Sequence, residues 1–170
     1  MNLEEIQAVI DSAKARDTGA LQTYVRGRMP RATEQQVVDT AEVALEIIET
    51  VPIFLATAAQ EAEDRRLTLV VQPVLDRAAR YFLHPVDILP EMTLGLAGLL
   101  DDTYLVLRIL QVLEQGPEPL VDWDLEHPTT FLRKLLGEQM GQELDAISAI
   151  AFREVVEASG PFWNVKPFDA

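Results

Sequence analysis

The sequence predicts an all-α fold, a bundle of about five to seven helices with a proline- and acid-rich break in mid-chain and an extended C-terminal tail. Three observations carry this expectation. Apolar residues recur at helical spacing along most of the chain. No segment shows convincing period-two alternation, and no Asn-Gly or Asp-Gly pair marks a hairpin turn. Recognisable start and stop residues separate the helical runs.

The first run, about residues 2–15, places Leu3, Ile6, Ile10 and Ala13 on one stripe before Asp17-Thr18-Gly19 interrupts it. A short second helix is expected to reach Met29, ahead of Pro30. Thr33 and Gln36 form a capping box, in which each side chain satisfies a backbone N–H of the other residue. From Glu34 the set Val37, Val38, Ala41, Leu45, Ile48 and Leu55 predicts a long third helix to about Arg65. Pro52 lacks the N–H that would pair with the Ile48 carbonyl and should kink it. A fourth helix is expected from about Leu67 to Leu83, with Pro73 near its start or at a bend. A fifth should run from Asp102 to about Gln115, closed by Gly116 and the stiff Pro117-Glu118-Pro119 linker.

The segment Val121–His127 is expected as ordered loop with Trp123 as an anchor. Beyond it the spacing of Leu132, Leu135, Leu136, Leu144, Ile147, Ala151 and Val155 predicts one long helix from Pro128 or Thr129 to Ser159, stopped by Gly160 and Pro161. Within it Gly137 and Gly141 share a helix face, the spacing of a close helix crossing inside the bundle or at a subunit interface. The apolar, proline-rich tail after Gly160 is expected to pack back on the bundle or to dock on another subunit.

At 170 residues, residues 1–170 are expected to form a single helical domain able to bury roughly 70% of its unfolded surface. There is no cysteine, which excludes disulfides, thiolate metal sites and cysteine nucleophiles. The acidic start Met1-Asn2-Leu3-Glu4-Glu5 carries no export signal. The most apolar stretch, Leu94 to Leu113, contains Asp101, Asp102 and Arg108, so no integral membrane span is expected. Together these features predict a cytoplasmic protein.

The formal net charge is −14, from 28 acids against 14 bases. Binding to nucleic acid requires basic groups that displace condensed counterions, so no nucleic-acid partner is expected. The expected partner is a protein or a second copy of the chain. An acidic decoy for a basic partner is a further alternative, and its affinity would fall steeply with salt.

The distinctive stretch is Tyr81-Phe82-Leu83-His84-Pro85-Val86-Asp87-Ile88-Leu89-Pro90-Glu91, followed by Gly95, Gly98 and Leu99-Leu100-Asp101-Asp102. It resembles the YkvA-like family of bacterial domains of unknown function over about residues 78–113, roughly a fifth of the chain. The shared pattern is an aromatic residue, Pro-x-Asp-x-x-Pro-Asp/Glu, then a glycine-bearing apolar span ending in Asp-Asp. The resemblance implies a helical element, in members that are often hydrophobic and sometimes membrane-associated, and it implies no known reaction. This chain departs from such members in its acidity and shorter apolar runs, and His84 stands where many relatives would carry a small polar residue.

Two readings of the motif follow. In the first it is helix punctuation: Pro85 and Pro90 break the chain, Asp87 caps a new helix, and Asp101 or Asp102 caps the next with the other acid favoured by its dipole. Arg77 or Arg80 would neutralise Asp87. In the second, Asp87, Glu91, Asp101 and Asp102, with His84, ligate a divalent cation for a metal-binding protein or metal-dependent hydrolase. If residues 88–97 were one helix, its ends would lie roughly 13–15 Å apart and the acids could not share an ion.

No catalytic residue is assigned. Asp39, Glu42, Glu46 and Glu49 read as a solvated stripe, because the Glu-x-x-His pairs of carboxylate-bridged bundles are missing. His84 and His127 have no nucleophile motif beside them, and Gly95-Leu96-Ala97-Gly98 lacks the Lys-Ser/Thr of a phosphate loop. The first expectation is therefore a non-enzymatic helical interaction or regulatory module without a cofactor, the divalent cation being the alternative.

Overall fold

The computed structural model describes residues 1–84, 95–115 and 118–159. Among them the structure is all-helical, with seven α-helices and two short 3-10 turns. Helix α1 is Leu3–Arg16, α2 Ala20–Arg28, α3 Glu34–Asp64, α4 Thr68–Leu83, α5 Leu100–Leu110, α6 Glu126–Leu136 and α7 Glu138–Ser159; 3-10 turns at Gly95–Leu99 and Gln111–Glu114 flank α5.

Local chemistry sets most boundaries. The Asn2 side chain accepts from the Glu5 amide at 3.3 Å, Glu4 and Glu5 sit at the positive end of α1, and Lys14 and Arg16 at its negative end. Ile6, Ile10 and Ala13 form its buried stripe. Asp17 then turns the chain, its Oδ1 accepting from the amides of Gly19 and Ala20, both at 2.8 Å. At the head of α3 the predicted capping box is present in both directions: the Gln36 amide donates to Thr33 Oγ1 at 3.2 Å and the Thr33 amide to Gln36 Oε1 at 2.8 Å.

Helix α3 runs unbroken through Pro52 to Asp64. Its buried residues are Val37, Ala41, Ala44, Ile48, Val51, Leu55, Ala58 and Ala62, a strict alternation of three- and four-residue steps. This is a narrow seam of coiled-coil type, half of it alanine, which lets neighbouring helices approach closely. The sequence expectation included Val38 and Leu45, which are only half-buried, and of the four alanines it named only Ala41, missing Ala44, Ala58 and Ala62. Hydrophobicity alone favoured the larger side chains, whereas close helix approach selected the smaller ones.

The α3–α4 connection is a Schellman closure built on an arginine. Arg66 adopts φ +59°, its amide donates to the Glu63 carbonyl at 3.0 Å, and the Leu67 amide donates to the Ala62 carbonyl at 2.7 Å. Helix α4 accommodates Pro73 in its second turn and buries Val71, Val74, Leu75, Ala78, Ala79 and Phe82.

Helix α5 is the axis of the bundle. Every residue of it except Arg108 is buried, the pattern of a helix surrounded by others. It packs most extensively on α4 and also touches α3, α6 and α7. It starts at Leu100, two residues before the predicted Asp102, continuing directly from the buried 3-10 turn. Of the segment expected as ordered loop, Val121–Leu125 is non-helical and tied down, whereas Glu126 and His127 already belong to α6. Leu120 and Val121 both donate to the Leu113 carbonyl, Glu114 accepts from the Leu125 amide at 3.0 Å, and Trp123 lies on Phe54 with ring centroids 4.7 Å apart.

One long C-terminal helix was expected, and the structure contains two. Gly137 breaks the run with φ +95° and ψ +161°, a conformation closed to L-residues. The glycine spacing therefore does not mark a helix-on-helix crossing. A Cβ at Gly137 would fall on the Arg28 guanidinium, and one at Gly141 would lie 3.0–3.1 Å from Arg133 side-chain atoms. The glycines make room for two arginine side chains. Helix α6 also begins at Glu126, earlier than Pro128, so His127 and Pro128 occupy its first turn, where amides have no intrahelical acceptor. The expected C-terminal tail, Pro117 and Gly116 lie outside the described residues. Among those described, no helix is long and apolar enough to cross a membrane.

Candidate functional site

The predicted motif enters the structure at two places. His84 follows α4, exposed, its amide donating to the Arg80 carbonyl at 2.8 Å. Asp101 and Asp102 occupy the first turn of α5 at 1% and 0% exposure. Asp87 and Glu91 lie outside the described residues, as do Pro85 and Pro90. Of the proposed metal ligands, the described residues thus hold one surface histidine and two core acids. Among the described residues no group of three or more His, Asp and Glu is placed to hold a metal ion.

The buried acid pair serves the start of α5. Neither acid is the cap residue expected from the sequence: that position is Leu99, with no side-chain cap. Both instead lie within the first turn, where the helix dipole favours negative charge, and Asp101 Oδ1 accepts from the Asp102 amide at 3.0 Å. The dipole half of the expectation holds, and the cap half is corrected because the 3-10 turn Gly95–Leu99 feeds straight into the helix. That turn is held by its own close approach: Gly95, at φ +56°, would place a Cβ 3.4 Å from the Asp17 backbone. On the α2 side, burial pushes the Tyr24 hydroxyl up, with Arg28 lowering it and Asp101 raising it further.

Arg77, a candidate neutraliser of Asp87, pairs with Glu154 of α7 at 2.7 Å. The acidic stripe of α3 is largely exposed, apart from Glu49, which is half-buried and pairs with Lys14 at 2.7 Å. His127 is exposed at the head of α6.

A second polar cluster escaped the sequence reading. Asp145 of α7 accepts from the Tyr104 hydroxyl of α5 at 2.6 Å, pairs with Arg108 Nε at 3.2 Å and bonds Arg133 of α6. Arg108 also donates to Gln111 at 2.6 Å, and Arg133 to Glu138 at 2.9 Å. All of these but Glu138 line a cleft of about 260 Å³ with Thr129, Thr130 and Glu126.

Burial, then the bond to Asp145, holds the Tyr104 hydroxyl above its ordinary value, and Arg133 opposes them. Such a tyrosine is a hydrogen-bond donor at neutral pH and no base or nucleophile. Arg133 is raised in turn, chiefly by its bonds to Tyr104 and Glu138. The arrangement braces three helices on one carboxylate. The signal that could have found it is Arg108, the one basic residue inside the apolar run Leu94–Leu113, on the same helix face as Tyr104.

A larger cleft of about 610 Å³ opens at the α2–α3 turn between Met29 and Thr40, where Arg31 and Asp39 are the charged residues among the described lining. It brings together no acid–base pair.

Residues 78–107 match the family model described as Protein of unknown function (DUF1232). The matched segment falls within the YkvA-like stretch read from the sequence and takes in the end of α4, the 3-10 turn and α5 through Leu107, the centre of the core. No curated protein and no solved structure matches the chain significantly.

Proposed function

We propose that this protein is a non-enzymatic helical contact module, working through association with a protein partner or a second copy of itself. The observation that carries the reading is the burial of Asp101 and Asp102. The most chemically suggestive residues of the motif are enclosed in the core at a helix start, where a substrate would meet them only if the bundle opened. Large apolar side chains meanwhile stand in water: Leu69 is 92% exposed and Ile53 61%. The net charge of −14 supports a protein rather than a nucleic-acid partner and suits a cytoplasmic location. On this reading residues 1–170 work as one domain.

The test is surface substitution. Leu69→Glu and Ile53→Glu remove exposed apolar contact without touching the core, so the melting temperature should stay within about 2 °C. Association of the chain in cells, read by cross-linking and gel analysis, should be lost. Stable variants that cross-link as before would remove the support for these surfaces. Calorimetric titration with Mg2+, Mn2+, Ca2+, Zn2+ and Fe2+ addresses the alternative: binding tighter than about 1 mM that Asp101→Asn abolishes would favour the metal reading.

A further inference from the structure

We propose that Gly137 is a hinge at which α7 is exchanged between two copies of this chain, so that the α7 of one protomer packs on α4 and α5 of the other. The break between α6 and α7 consists of one residue in a conformation that only glycine adopts readily, with no loop and no proline. On either side the chain is helical, and the positions Leu132, Leu136, Met140 and Leu144 continue one i, i+4 row across it. A straight helix is therefore the conformation that the local sequence favours.

The bend is held by tertiary contacts. The Leu135 carbonyl accepts from Arg28 Nε at 3.0 Å and from the Tyr24 hydroxyl at 3.4 Å, while Arg133 reaches past the break to Glu138 and Asp145. In a continuous helix the Leu135 carbonyl would take the Gln139 amide instead, so opening exchanges these two side-chain donors for one backbone donor and leaves the carbonyl satisfied. Straightened, α6 through α7 would span roughly 50 Å and carry α7 clear of its own bundle.

Among the described residues, everything else that α7 touches precedes the hinge in the chain, including Arg77 against Glu154 and Tyr104 against Asp145. A second copy offers the same surfaces, so exchange preserves those contacts and changes only the hinge. The inference rests on the contact-module reading only in naming a second copy as the partner.

The chain has no cysteine, so Arg77→Cys with Glu154→Cys supplies a clean pair for a short bismaleimide cross-linker. A closed monomer gives an intrachain product, and an exchanged dimer an interchain one. Gly137→Ala, which disfavours the bend and favours the helix, should raise the dimerisation constant by at least about tenfold, read by light scattering, with interchain cross-links. A folded Gly137→Ala that remains monomeric, or that dimerises with intrachain cross-links only, overturns the proposal. Should that variant fail to fold, Arg28→Ala decides: it keeps the glycine, releases the clasp and must also yield interchain product, and a closed monomer overturns the proposal. A closed wild-type chain whose Leu69 variant still loses association would sink the hinge and leave the contact module standing.

Discussion

The guanidinium of Arg28 occupies the space that a side chain on Gly137 would fill. Its Nε bonds the carbonyl of Leu135, 107 residues further along the chain. The end of α6 is thereby satisfied from outside, by α2, where most helix ends are satisfied by their own neighbours. The same region is tied by Arg133 to Asp145, so the C-terminal elbow depends on two long side chains, one from α2 and one from α6.

Asp145 is the centre of that brace, and its removal leaves Tyr104, Arg108 and Arg133 without their shared acceptor in a mostly buried setting. Asp145→Ala should cost about 2–3 kcal/mol. For a chain of this length that lowers the melting temperature by about 5–10 °C, measurable by circular dichroism. Glu138→Ala, at an acid whose side chain is 73% exposed, should change stability by less than about 0.5 kcal/mol.

Glu114 offers a pH test. Burial raises its carboxyl above the ordinary value, the Leu125 amide lowers it, and Asp124, Asp122 and Glu126 raise it further. A raised carboxyl holds its proton more tightly folded than unfolded. Its contribution to stability is full below the unfolded value near 4.5 and is lost as pH rises through the folded value. Glu114→Gln keeps the acceptor and removes the charge, so it should melt higher than wild type at pH 7. The advantage should vanish near pH 4, and an equal shift at both pH values would count against a charge effect.

Arg66 holds a left-handed conformation that glycine adopts without strain. Arg66→Gly should therefore stabilise the chain by about 0.5–1 kcal/mol, after the entropy that glycine adds to the unfolded state. The midpoint of urea unfolding reads this directly.

The α3 seam predicts opposite sensitivities at neighbouring positions. Ala44 is fully buried where helices approach, and Ala44→Leu should destabilise by about 1–3 kcal/mol through overpacking. Val38 is only half-buried, so Val38→Ala should cost less than about 1 kcal/mol.

The all-α class, the stripe Ile6, Ile10 and Ala13, the Thr33–Gln36 box and the motif around Asp101 and Asp102 were legible before any coordinates. Each is written within about one helical turn or one short pattern, so neighbouring residues suffice to specify it. The alanine seam of α3, the Arg66 closure, the elbow at Gly137 and the Asp145 brace were not. Arg66 gives no glycine signal. The other three depend on which segments meet: Ala44 is buried because another helix comes close, Gly137 bends in a run whose pattern favours a straight helix, and Asp145 meets an arginine twelve residues before it and a tyrosine 41 before it. The helical class and most helix positions were determined by the sequence alone, because helical hydrogen bonds close over four residues. The break, the seam and the brace were decided by tertiary packing, because their energies exist only once distant helices share a surface.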